Sequence, residues 1–199
     1  MKLLQPNAEY TFRSYFELPQ DTDEVLAGFD YKLVRKYLDL PKTGRKLAKL
    51  AELKQNIEAI LPLVSLSSET AKREILVAPV LSLVTITCQQ ILRIEYPLKV
   101  NNLLEGNLDY LLRGANSLIV IEAKQDDMTR GFTQLAVEMI ALSLVNDSSS
   151  MIYGAVTMGT LWTFGFLEES SKTIFQDILS YRVPSDLEEL VSILVGILE

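Results

Sequence analysis

A chain of 199 residues with 48% hydrophobic and 23% charged side chains is long enough for one well-buried domain and too apolar to be a disordered one. It has no histidine and one cysteine, which excludes Ser-His-Asp hydrolases, Cys-His proteases, His-ligated zinc enzymes as usually built, and any internal disulfide. The net charge of −7 argues against broad passive affinity for nucleic acid, so chemistry here must run on carboxylates, lysine, hydroxyls or a hard metal ion.

The start, MKLLQPNAEY, has only a two-leucine patch before Gln5 and Pro6, so no secretory segment is expected. Nor is a membrane span, and a cytoplasmic protein follows as the expectation. Tyr10, Phe12, Tyr15 and Phe16 alternate loosely, as in a short strand or an arm packed on the domain, and nothing among them points to chemistry. From Asp30 to Lys54 eight basic residues face three acidic ones, a local balance of +5 that leaves −12 for the rest of the chain. Leu47, Leu50, Leu53, Ile57, Ile60 and Leu61 recur at helical spacing, which predicts an amphipathic helix over residues 43–61. Its lysines, with Lys42, Arg45, Lys46 and Lys49 foremost, make either a solvated face or a contact for a nucleic-acid backbone. Residues 1–62 therefore read as an extension with a basic helix, and 63–199 as a core, together one compact domain.

Pro62 ends that helix, and the hydroxyls of residues 65–68 offer caps for the next, over 69–88. This helix is apolar around most of its circumference and should be a central packing element, with Cys88 as a buried structural thiol. Pro79 lacks an amide hydrogen and crowds the carbonyl of Ile75, which predicts a kink just beyond Glu74. Residues 90–100 alternate as a strand with one wet face, and Pro97 places it at an edge, a bulge or the strand's end. Glu95 on that strand reads best as a solvent-facing partner for Arg93. Gly106 would let backbone or substrate come close.

Residues 107–124, NLDYLLRGANSLIVIEAK, read as two strands joined by a turn at Arg113-Gly114-Ala115-Asn116. The second strand is a run of Leu, Ile and Val that ends in Glu122-Ala123-Lys124, so charge arrives where the apolar run stops. Side chains alternate along a strand, which puts Glu122 and Lys124 on one face and turns Ala123 away. In simple register Asp109 brings a second carboxylate to that face. The polar residues 125–129 can cap a helix running to about Val145, with Gln134 and Glu138 one turn apart. Residues 146–150 read as a loop, and 151–158 and 161–167 as two strands joined at Gly159-Thr160, with Trp162 and Phe164 in the core. The last stripe, over 185–198, closes the core or makes a homodimer contact.

Asp109 followed by Glu122-Ala123-Lys124 resembles the D…ExK signature of the PD-(D/E)XK, or restriction-endonuclease-like, nuclease superfamily. The element order over 68–167 resembles that family's αβββαβ core, an α/β fold with a central mixed sheet flanked by helices. The resemblance implies a nuclease that hydrolyses phosphodiester bonds, with DNA as the expected nucleic-acid partner and with a possible separate recognition subunit. It implies Mg²⁺ or Mn²⁺ held by Asp109, Glu122 and the Ala123 backbone carbonyl, with Lys124 positioning or activating the attacking water. Burial is expected to lower the Lys124 pKa enough for it to exchange a proton. Glu74 resembles the family's metal-site glutamate on the preceding helix, although an ion pair with Arg73 or Lys72 at the helix surface reads equally well. Gln134 resembles the glutamine that the family places beside the lysine, while Glu138 stands where its fuller pattern has an aromatic. The alternative to an active enzyme is a nuclease-fold protein that binds or regulates without cleaving.

Overall fold

Apolar strands and one-sided helices must bury those faces against one another, and here they do so in layers around a single mixed sheet. The computed structural model describes residues 9–115, 117–124, 126–146 and 151–199. In chain order the elements are α1 (Phe12–Glu17), α2 (Thr22–Ala27), β1 (Lys32–Lys36), α3 (Leu50–Ile60), α4 (Glu69–Lys72), α5 (Ala78–Cys88), β2 (Leu92–Asn101), β3 (Leu104–Arg113) and β4 (Ser117–Ala123). There follow α6 (Met128–Val145), β5 (Met151–Thr157), β6 (Leu161–Glu168), β7 (Thr173–Asp177), β8 (Tyr181–Arg182) and α7 (Leu187–Leu198). The sheet runs β1-β7-β6-β5-β4-β3-β2, with β8 pairing β6. Strands β2, β3 and β4 form antiparallel neighbours, and β4 meets β5 in parallel after the α6 crossover.

Strand β4 is buried at all seven positions, which is why its sequence is continuously apolar. Ile119, Ile121 and Ala123 face one core, shared with α5 and α7, while Leu118 and Val120 face the other, shared with α1, α2 and α6. Trp162 and Phe164 are core residues with no exposed surface. The stripe on α7 is likewise buried, from Leu187 through Leu198, so it closes this chain's own core and leaves no such face for a dimer. Among the described residues no helix is long and apolar enough to cross a membrane.

Several expectations need correction. The aromatic cluster near the N-terminus is a helix, because Phe12, Tyr15 and Phe16 also repeat at i, i+3, i+4 and bury that side against α6. Within the segment read as an extension, β1 pairs with β7 and so belongs to the common sheet. The basic helix begins only at Leu50. Residues before it are held against α7 instead, where the Thr43 amide donates to the Ser192 carbonyl (3.0 Å) and Lys49 takes a left-handed φ of 66°. Strands β1, β7 and β8 are short and mixed in character, which hides them from the residue pattern: β1 is decided by a remote partner, β7, while β7 and β8 both pair with the nearby β6. Cys88 is half-buried at the rim of the core.

The helix over 69–88 is irregular where the kink is expected, just beyond Glu74. It widens into a π-turn over Arg73–Val77, in which the Ala78 amide reaches back to the Arg73 carbonyl, one residue further than in an α-helix. The extra residue gives the Pro79 ring room beside the preceding turn. At its start the Ser68 hydroxyl accepts the Ala71 amide at 3.1 Å, as capping requires. Ser68→Ala is expected to lower stability by about 1 kcal/mol, read as a midpoint shift in urea with unchanged slope. Of the expected turn at residues 113–116, the Gly114 amide donates to the Ser117 carbonyl at 2.8 Å, and Asn116 lies outside the described residues. So do Met1–Ala8, Gln125 and, from the expected loop, Asp147–Ser150.

Candidate active site

The β3–β4 ladder ends at the Tyr110–Ile121 pair. One step further along that register Asp109 stands opposite Glu122, and there the backbone bonding is replaced by a side chain: Asp109 Oδ2 accepts the Ala123 amide at 2.9 Å. The strands part at this point, so polar groups can enter between them. Glu122 and Lys124 share the face turned toward α6, with Lys124 Nζ 2.6 Å from Glu122 Oε1, and Ala123 faces the opposite core. The first turns of α6 lie directly on the lysine stem. A Cβ on Gly131 would sit 2.8 Å from Val156 Cγ2 and 3.0 Å from Lys124 Cγ, so only glycine permits that approach.

These groups floor a cleft of about 540 Å³. One wall comes from α1, through Thr11, Phe12, Arg13 and Phe16, and the Phe16 ring lies 4.7 Å from Lys124 Nζ. The opposite wall carries Glu69, Arg73 and Glu95. Gly106, at φ 146°, is what lets α1 dock: a Cβ there would come within 2.9 Å of the Phe12 ring. The close approach expected at this glycine is thus made by backbone and side chain of the N-terminal segment.

Arg73 is the cation that sequence reasoning passed over. Its Nε donates to the Tyr110 hydroxyl (3.2 Å), one terminal nitrogen meets Glu95 Oε1 (2.8 Å), and the other lies 3.6 Å from Asp109 Oδ1. Glu95, opposite Asp109 by the β2–β3 register, adopts a φ of 50° and turns to Arg73, whereas Arg93 lies over the Tyr96 ring. Successive helical residues rotate by about 100°, so the turn that aims Glu69 and Arg73 into the cleft sends Glu74 elsewhere. Glu74 is exposed beside Leu53, Ile57, Ile60 and Pro79, away from Asp109, and does not serve as the helix glutamate of this site. Glu69 occupies the side expected of it. The i, i+4 spacing of Glu69 and Arg73 was the available signal.

Lys42, Arg45, Lys46 and Lys49 do not reach the cleft. Lys42 pairs with Glu189 (2.6 Å) and Arg45 with Glu199 (2.8 Å), on and just after α7. The end of α7 abuts the beginning of β4, where the Ser117 hydroxyl donates to the Ile197 carbonyl. The acidic site is at the other end of that strand, about 20 Å away at the usual rise per residue. Lys46 lines a separate depression with Leu47 and Leu50.

No protein-family model matches the chain, and no curated protein matches it. What the site can do therefore follows from its own electrostatics. Burial raises the Asp109 pKa, offset in part by the Ala123 amide, Arg73 and Lys124. Burial together with Asp109 pushes Glu122 up to about 7, against the pull of Lys124. Beneath it, Glu138 of α6 has no exposed surface and is raised well above the carboxylate range by burial and by Glu122. Burial alone would lower Lys124, but Glu122 and Asp109 outweigh it and the net shift is upward. The lysine is thus a fixed ammonium, not the proton-exchanging amine expected from burial.

Three buried oxygens here have no hydrogen-bond partner among the described groups: Glu122 Oε2, Glu138 Oε2 and Gln134 Oε1. Gln134 itself lines the cleft and donates to Glu138 Oε1 at 2.8 Å. An orphaned carboxylate oxygen is costly in a low-dielectric interior and calls for a proton or a cation. Among the described residues no group of three Asp, Glu, Cys or His side chains is assembled as a metal cluster. A magnesium-sized ion, which keeps several waters, needs only one or two carboxylates and a carbonyl. Asp109 and Glu122, both lining the cleft, are two carboxylates of that kind.

Proposed function

We propose that the protein is a metal-dependent nuclease hydrolysing phosphodiester bonds, with DNA as the first substrate to test. The observation that carries this reading is the convergence of Asp109, Glu122 and Lys124 where β3 and β4 part, beside a buried carboxylate oxygen without a partner. The order α5, β2, β3, β4, α6, β5, with the strands adjacent in that sequence and α5 and α6 on opposite faces, supports a restriction-endonuclease-like core.

Asp109, Glu122 and the Ala123 carbonyl would hold the divalent ion, which when bound supplies charge neutralisation and a more acidic water. In the reaction a water oxygen gives up one proton to the surrounding solvent as it bonds to phosphorus, the bond from phosphorus to the ester oxygen breaks, and the departing oxygen takes up a proton from solvent. Lys124 stays protonated and offers its N–H bonds to the attacking oxygen or to the phosphoryl oxygens as negative charge accumulates. The Phe16 ring and the α6 backbone keep its ammonium from wandering into solvent. Arg73, on the other side of Asp109, adds a second fixed positive charge to the same cleft.

A binding protein without catalysis is the second reading, favoured by the neutralisation already present: Lys124 sits on Glu122 and Arg73 on Asp109. One screen separates the two. The protein is incubated with duplex, single-stranded and branched DNA and with RNA, each with Mg²⁺, Mn²⁺ or EDTA. Cleavage that requires the ion is the expected result, and binding without cleavage under every condition would establish the second reading.

A further inference from the structure

The cleft carries too few cations for a duplex. Its lining includes Arg13, Arg73 and Lys124 against Glu69, Glu95, Asp109, Glu122 and Asp126, and the basic segment before α3 lies against α7, on the face of the sheet opposite α6. Duplex affinity grows with the number of phosphates neutralised, commonly six or more, and three cations limit the contact to about three. Helix α1 narrows the approach further by standing as a wall on the Lys124 side. That wall presents a half-buried aromatic, Phe16, directly beside the ammonium.

We propose that this cleft takes a single strand, one or two nucleotides at a time, with a phosphate between Arg73 and Lys124 and a base against Phe16. This rests on the nuclease reading and narrows its substrate to unpaired segments. The guanidinium supports it: Tyr110 and Glu95 fix Arg73 through two of its five N–H bonds, and Asp109 holds a third only loosely. The remaining donors can meet a phosphate. Stacking on an aromatic needs no base sequence and contributes affinity without adding charge, which suits an acidic protein.

The test is fluorescence anisotropy of labelled oligothymidylate, and of the same labelled strand annealed to unlabelled oligodeoxyadenylate, with the whole protein in Ca²⁺, followed by cleavage of both in Mn²⁺. The single strand is expected to bind at least tenfold more tightly, with a log–log salt slope no steeper than about −2. Phe16→Leu, which keeps apolar bulk but has no ring face, is expected to weaken binding about tenfold, and Phe16→Trp to restore it, with melting temperatures tracking neither change. Duplex bound or cut as well as single strand, or a Phe16→Leu variant that binds like the parent, overturns the single-strand site while leaving nuclease activity standing. Neither substrate bound nor cut removes both.

Discussion

Asp109→Asn is expected to leave a folded protein whose metal-dependent cleavage falls by about a thousandfold or more. Asparagine keeps a carbonyl oxygen where Asp109 Oδ2 accepts the Ala123 amide, so the junction between β3 and β4 holds. It removes the negative charge that a divalent ion needs and that burial already makes expensive. Lys124→Ala is expected to cost about a hundredfold to a thousandfold, the usual loss when one fixed donor to a charged transition state is removed. It also strips Glu122 of its partner at 2.6 Å and so lowers stability, which Asp109→Asn does not. Rates on the preferred substrate, measured beside thermal melts, separate these effects. Cleavage by Asp109→Asn at the parent's rate would end the catalytic proposal, since Asp109 is the carboxylate that joins Ala123 to Arg73.

The second large effect concerns the carboxyls of Glu122 and Glu138, which lie within hydrogen-bonding reach of each other and are both raised from an ordinary value of 4.5. At pH below 4.5 folded and unfolded chains both carry the protons, and there is no penalty. As pH rises the unfolded chain releases them while the folded chain, its groups raised by burial, still holds them. Stability of the metal-free protein therefore falls with pH from about 4.5 through about 7, where Glu122 ionises in the fold as well. The loss is on the order of 2 to 3 kcal/mol. Glu138→Gln can donate to Glu122 Oε2 and still accept from Gln134, which satisfies one orphaned oxygen and replaces another with the donating amide. In EDTA at pH 8 this variant is expected to be more stable than the parent by about 2 kcal/mol, with a flatter stability curve between pH 5 and 8. Mg²⁺ is expected to recover stability in the parent at pH 8 by mass action. Urea titrations at several pH values decide it; a parent curve that stays level across that range would contradict the shared-proton account.

Glu138 also shows why a motif reading stops short. At that position the residue departs from the resembled pattern, yet it faces Glu122 from the neighbouring helix, and its Oε1 is bonded by Gln134 one turn earlier. The Gln134–Glu138 pair was legible from helical spacing alone. Its meeting with Glu122 was not, because nothing in the sequence states how far along β4 the helix α6 docks. Arg73 and Glu74 make the same point from adjacent positions. Both are charged residues on one predicted helix, and the rotation of about 100° between them lets only one enter the cleft once packing has fixed which side of the helix faces it.

Alternation and apolar run length by themselves determined the β3–β4 pair, the common face of Glu122 and Lys124, the α6 crossover and the burial of Trp162, since these depend on local periodicity and on the need to hide apolar surface. Tertiary structure alone decided that α1 walls the cleft, that Arg73 and Glu95 face Asp109, and that Lys42 and Arg45 pair with α7 on the face of the sheet opposite α6. Those are contacts between segments remote in sequence, whose energies depend on how whole elements pack and on backbone irregularities too small to mark the residue pattern.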